Sequence, residues 1–267
     1  MPSHGERITY PSRGVERPAY LAGTSGPGPL PAVLVIHETF GVTPHIEDVC
    51  RRLAAEGYVT LAPDLFALGM RPVSNEELEA AMAFLRTMPP ELRRDVAASQ
   101  ARVRELPEAE REPTRKALEW LRTRDLDAHT ADMFDAVDWL ARQAFVRNDR
   151  IASVGFCMGG ALSIRLAAAG ASLAACVIFY GANPPLDRIS SIRCPVLGLY
   201  GGDDRGITDT VPRFAEAMRA AGKSFQHHVY PGAGHAFFND TRLDVYRKEA
   251  AEDAWRRTLA FFRKTLA

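Results

Sequence analysis

Apolar positions along the chain fall into short runs separated by amphipathic stretches. Residues 32–36 (AVLVI), 58–62, 150–155, 173–180, 195–200 and 225–230 predict strands. An apolar run without alternation, such as AVLVI, suits a strand covered on both faces. Between the runs the period becomes helical. Ile46, Val49, Cys50 and Leu53 recur on one face, as do Met133, Val137, Leu140 and Ala144, and Trp255, Leu259, Phe262 and Leu266. Helices are predicted from Thr43, as cap, and Pro44 to the stop at Gly57, and over 126–143, 158–169, 211–221 and 243–266. Residues 7–10 and 16–21 read as an antiparallel edge ribbon, and 23–31 as a loop. Strands alternating with helices imply an α/β fold, a mostly parallel sheet with helices on both faces. Functional residues then belong at the carboxyl ends of strands.

The pattern changes between 70 and about 124, which is charged, Ala-rich and punctuated by Pro72, Pro89, Pro90, Pro107 and Pro113. Ser74 and Glu77 have capping-box spacing, and Leu78, Ala81, Met82 and Leu85 share a helical face. We expect one α/β domain over 1–267 with two or three short helices inserted at 70–124. The insertion is either a solvated excursion or a lid shaping substrate access, and the two roles are compatible.

Three segments that follow predicted strands carry chemistry. Gly155-Phe156-Cys157-Met158-Gly159 is the G-x-C-x-G form of a nucleophile elbow, between a strand and a helix. There the helix N-terminus favours a thiolate at Cys157. The loop Tyr230-Pro231-Gly232-Ala233-Gly234-His235 supplies a candidate general base. The turn Tyr200-Gly201-Gly202-Asp203-Asp204 supplies an acid to orient it, and G-x-x-D spacing from Gly201 selects Asp204 over Asp203. The order nucleophile, acid, His is that of α/β-hydrolases. His37-Glu38-Thr39-Phe40-Gly41 follows AVLVI, where a loop provides one oxyanion-hole N–H. We assign those donors to Thr39 and Met158. Glu38 is unexpected in a pocket that stabilises an anion. His37, His45, His129, His227 and His228 receive no role beyond surface or packing.

Composition narrows the partners. The 267 residues carry 33 Lys+Arg and 33 Asp+Glu, with 46% hydrophobic and 25% charged positions. Disorder, collagen and disulfide-scaffold classes are excluded. Zero formal net charge leaves no footprint for nucleic acid or an anionic membrane. The longest apolar stretch, 173–180, falls short of the roughly 20 residues that span a bilayer. No apolar signal region opens the chain. Cys50, Cys157, Cys176 and Cys194 form neither a CxxC pair nor a metal-like spacing. The expectation is a cytoplasmic enzyme, monomer or small homo-oligomer, with a small-molecule substrate and no metal or organic cofactor.

The sequence resembles the dienelactone hydrolase family over about residues 7–262, least in the insertion. HETFG resembles the family's H-E-x-x-G, GFCMGG its G-x-C-x-G-G, GGDD its acid turn and GAGHAF its G-x-H-x-F. The resemblance implies an α/β-hydrolase fold and hydrolysis of cyclic enol esters by a Cys–His–Asp triad. Cys157 is then the nucleophile, His235 the base and Asp204 its orienter. Glu38 matches the family glutamate that contacts the cysteine and takes its proton when substrate arrives. Tyr180, before Gly181, resembles a pocket position and reads equally as an interior aromatic. Two arginines that bind the substrate carboxylate in the prototype are displaced. One position is Leu68, with Arg71 nearby; the other is Asn239, with Arg242 the nearest basic residue. Two further readings stay open: an esterase or thioesterase using the same machinery, and a non-catalytic ligand-binding protein of the same fold.

Overall fold

The computed structural model describes residues 5–23, 28–67, 71–89, 92 and 95–267. Part of the expected 23–31 loop, together with Leu68, Met70 and Pro90, lies outside them. The chain divides into two compact units, Met1–Leu65 with Asp127–Ala267, and Phe66–Leu126.

The first unit holds an eight-stranded sheet: β1 (Glu6–Ser12), β2 (Val15–Ala22), β3 (Leu30–Ile36), β4 (Val59–Pro63), β5 (Val146–Phe156), β6 (Ala175–Phe179), β7 (Val196–Gly201) and β8 (Phe225–Tyr230). Their order is β1-β2-β4-β3-β5-β6-β7-β8, with β2 antiparallel to both its neighbours, β1 and β4, and every other adjacent pair parallel. The helices of this unit are α1 (Pro44–Ala55), α5 (Leu126–Ala141), α6 (Met158–Ala168), α7 (Arg205–Thr208), α8 (Val211–Ala220) and α9 (Lys248–Thr265). Central strands have no solvent face: every residue of β4, β6 and β7 is buried. This explains their unbroken apolar runs. The edge ribbon is anchored by an internal ion pair, Arg17 on β2 with Asp132 on α5 at 3.0 Å, both side chains at most 2% exposed. Arg17 also donates to the carbonyl of Asp64, just beyond β4.

The second unit contains α2 (Asn75–Thr87), α3 (Val96–Val103) and α4 (Glu108–Thr123). The Ser74–Glu77 capping box forms in both directions. Its buried α2 positions are Leu78, Ala81 and Phe84, whereas Met82 and Leu85 are only half-buried.

Several expectations need correction. Thr43 occupies the N-cap of α1 without a side-chain cap, so Pro44 is the effective start signal. Pro113 lies inside α4 rather than breaking it; the buried face of Thr114, Ala117, Leu118 and Trp120 outweighs the lost hydrogen bond. β5 begins at Val146, and Ala144 is exposed beyond the end of α5. α9 begins at Lys248, because residues 239–246 close turns on themselves and leave Leu243 85% exposed. Among the described residues no helix is long and apolar enough to cross a membrane.

Candidate active site

Parallel strands put their carboxyl ends on one edge of the sheet, and the candidate residues other than Arg71 and Arg242 follow those ends. Cys157 follows β5 and opens onto α6 with φ 55° and ψ −114°. Side chains rarely adopt such a conformation, and it is held here by backbone bonds. The Cys157 N–H donates to Phe179 O at 3.0 Å, and its carbonyl accepts from Ala161 at 3.2 Å. A Cβ on Gly155 would stand 1.9 Å from the Gly159 carbonyl oxygen, and one on Gly159 2.1 Å from that of Ile36. Both positions therefore require glycine. The second brings the elbow against the loop that follows β3.

Cys157 is partly exposed, whereas Cys50, Cys176 and Cys194 are buried. Burial pushes the Cys50 thiol up to about 12 and the Cys176 thiol up to about 11.

His235 lies in the loop after β8. Its Nδ1 meets Asp204 Oδ2 at 2.6 Å, and it also hydrogen-bonds Cys157. With Nδ1 on the carboxylate, Nε2 is left for the sulfur. Asp203 is exposed, and its N–H donates to Ala233 O at 2.9 Å. Burial alone lowers the proton affinity of the imidazole. The neighbouring Cys157 sulfur and the Asp204 carboxylate outweigh it, so His235 titrates well above its ordinary value. The ring keeps 31% of its surface exposed, so its desolvation is incomplete.

The Glu38 side chain is buried. Its Oε1 accepts from the Tyr180 hydroxyl at 3.3 Å, and its Oε2 from Asn239 Nδ2 at 2.8 Å. Tyr180 is fully buried at φ 42°, with its ring 5.2 Å from that of His235. Burial, Glu38 and Cys157 together keep its hydroxyl protonated. Thr39 follows Glu38 in the same loop, and Met158 is the first residue of α6, where N–H groups have no intrahelical acceptor.

Three residues contribute more than the sequence revealed. His37 is fully buried, and its Nε2 accepts from Leu65 N–H at 3.1 Å. Its Nδ1 therefore carries the hydrogen and donates to the Glu38 carbonyl at 2.5 Å, setting the backbone before Thr39. His45 is buried against the edges of Phe156 and Phe238, with Nδ1 3.3 Å from Asp240. Neither histidine is at the surface. Asn239, noted only as a displaced arginine position, is the third, and its place four residues beyond His235 was the available signal.

Arg242 stands 5.8 Å over the Phe40 ring, 3.4 Å from Asp244, and acts electrostatically on Tyr180. Arg71 belongs to the Phe66–Leu126 unit, where its guanidinium lies 5.4 Å from the Phe66 ring centre. Among the described residues no group of three or more His, Cys, Asp or Glu is placed to hold a metal ion.

A mostly parallel sheet with a strained elbow at the end of β5 defines the α/β-hydrolase fold. The chain belongs to the dienelactone hydrolase family, whose family model matches residues 18–266, and is a carboxylic ester hydrolase. It is 38% identical over 263 residues to a "Putative carboxymethylenebutenolidase" of Saccharolobus solfataricus, covering 97% of this chain and 98% of that one. It is 32% identical over 266 residues to a "Probable 2-oxo-3-(5-oxofuran-2-ylidene)propanoate lactonase" of a Bradyrhizobium species, covering 94% and 91%. A crystal structure of a "Putative Dienelactone Hydrolase" from Klebsiella pneumoniae superposes with a TM-score of 0.69 at 33% identity, covering 97% and 98%.

Proposed function

We propose that this enzyme opens lactones or cleaves related carboxylic esters through a thioester on Cys157. The observation that carries the reading is His235, hydrogen-bonded to Asp204 at 2.6 Å and to Cys157. A protonated imidazole beside sulfur favours thiolate. Glu38 accepts the thiol proton as substrate enters. The thiolate attacks the carbonyl carbon, and the N–H groups of Thr39 and Met158 receive the developing oxyanion. The acyl C–O bond then breaks, and the departing alkoxide or enolate takes its proton from His235. The neutral imidazole next removes a proton from water as that water attacks the thioester. The acid departs, and Cys157 recovers its proton from Glu38. Mass spectrometry of the quenched reaction should find the acyl group on the Cys157 peptide; an acyl-enzyme lacking that adduct would refute the mechanism.

Substrate charge is the finer question. Arg242, close to Tyr180 and Phe40, supports a preference for a lactone bearing a free carboxylate, with Arg71 the second candidate donor. A charge-assisted contact is worth about 1.5–3 kcal/mol, a ten- to hundredfold preference in kcat/KM for the acid over its methyl ester. Arg242→Ala or Arg71→Ala should erase most of that preference while sparing the neutral ester. Steady-state kinetics on both substrates decides the matter. Equal rates in the parent enzyme would make it a general esterase.

A further inference from the structure

The carboxylate of Glu38 is held by two neutral donors, one on each oxygen, and the second of them has an orientation fixed by its own surroundings. Asn239 is 3% exposed and donates from Nδ2 to Glu38 Oε2 at 2.8 Å. Its Oδ1 accepts from the Thr241 N–H at 3.1 Å and the Thr241 hydroxyl at 2.6 Å. A backbone N–H can only donate, so the amide oxygen must face Thr241 and the NH₂ must face Glu38. The Asn239 N–H closes a turn on Ala236 O at 3.0 Å, where Ala236 has φ 63°. One loop thus delivers both His235 and the group that aims the carboxylate.

We propose that Asn239 is a positioning residue that holds the Glu38 carboxylate aimed to accept the Cys157 proton. This rests on the role proposed for Glu38. An amide orients the carboxylate and stabilises its charge. It does so without the full positive charge that, within contact distance, lowers a carboxyl's proton affinity by about 1–3 pK units. The titratable or charged groups that face this site include Tyr180, Cys157, His235 with its partner Asp204, Arg242, and His37, whose ring donates to the Glu38 carbonyl. Tyr180 serves as the neutral donor on Oε1, and Arg242 is engaged with Asp244 over Phe40.

Asn239→Asp tests this. It preserves size and the acceptor towards Thr241, and replaces the donor facing Glu38 by a second carboxylate. Two carboxylates in hydrogen-bond contact share a proton, so the acid limb of kcat/KM should move up by at least about one pH unit with KM little changed. Alkylation of Cys157 by iodoacetamide should shift in parallel. In a Glu38→Gln background the same substitution should not move the alkylation profile further. A folded Asn239→Asp enzyme with the parental acid limb, or an equal shift in the Glu38→Gln background, overturns the proposal. Should Asn239→Asp not fold, Thr241→Val removes one of the two anchors. It should move the limb in the same direction, and an unmoved limb overturns the proposal equally. Glu38→Gln with parental kcat/KM would remove the role of Glu38 itself. An inactive Glu38→Gln beside an unshifted Asn239→Asp would remove only that of Asn239.

Discussion

Cys157→Ala is expected to remove turnover of every ester or lactone the enzyme cleaves while leaving the fold intact. The substitution keeps the Cβ that the φ 55° backbone already accommodates, and keeps the backbone bonds of the elbow to Phe179 and Ala161. What it deletes is the sulfur that His235 addresses. Loss of a nucleophile leaves only binding and oxyanion stabilisation, so kcat should fall at least about 10⁴-fold. Urea unfolding should give an unchanged midpoint within error. The same assignment is readable in the parent enzyme by brief iodoacetamide treatment and peptide mapping. Cys157 is the one partly exposed thiol among the four, and burial holds the thiols of Cys50, Cys176 and Cys194 protonated well above neutral pH. Alkylation should therefore track loss of activity at Cys157. Preferential labelling of Cys176 with full activity retained would be fatal to the assignment.

The elbow, the acid turn and the His loop were legible because each is a local solution to a local problem. Two glycines flank Cys157 at fixed spacing since a Cβ at either site would collide with backbone, and that constraint is written within five consecutive residues. The strands were equally readable, since full burial on both faces forces unbroken apolar runs. What stayed hidden depends on distant partners. Glu38 looked out of place because its donors, Tyr180 and Asn239, lie 142 and 201 residues away. His37 looked unremarkable because the group that orients its ring is a backbone N–H 28 residues on. Pro113 counted among the prolines punctuating the insertion because the penalty for proline is local, whereas the burial that overrides it comes from packing of the helix. The start of α9 was misjudged for a related reason. Leu243 extends an apolar period, but the turns anchored around Asn239 and Arg242 hold that segment out of the helix.

Asp204→Asn is expected to cost roughly 10²- to 10⁴-fold in kcat, with substrate binding much less affected. The carboxylate lies 2.6 Å from His235 Nδ1 and does two things there. It fixes the tautomer, so that Nε2 is the nitrogen presented to Cys157, and it stabilises the imidazolium that forms during the cycle. An asparagine fits the space but removes the charge, and its NH₂ group can turn the ring to the wrong tautomer. The proton affinity of His235, raised by Cys157 and Asp204 against the opposing effect of burial, should fall accordingly. A raised value means that the charged ring persists as pH climbs, so its loss should move the pH at which the imidazolium disappears downwards. Asp203→Asn provides the control, because that side chain is exposed, bonds no partner among the described residues, and leaves the backbone N–H engaged with Ala233. Its kcat should stay within about threefold of the parent, as for an exposed substitution worth no more than ±0.5 kcal/mol. Measuring kcat and the pH profile of both variants side by side separates the two aspartates, and the reverse ranking would transfer the orienting role to Asp203.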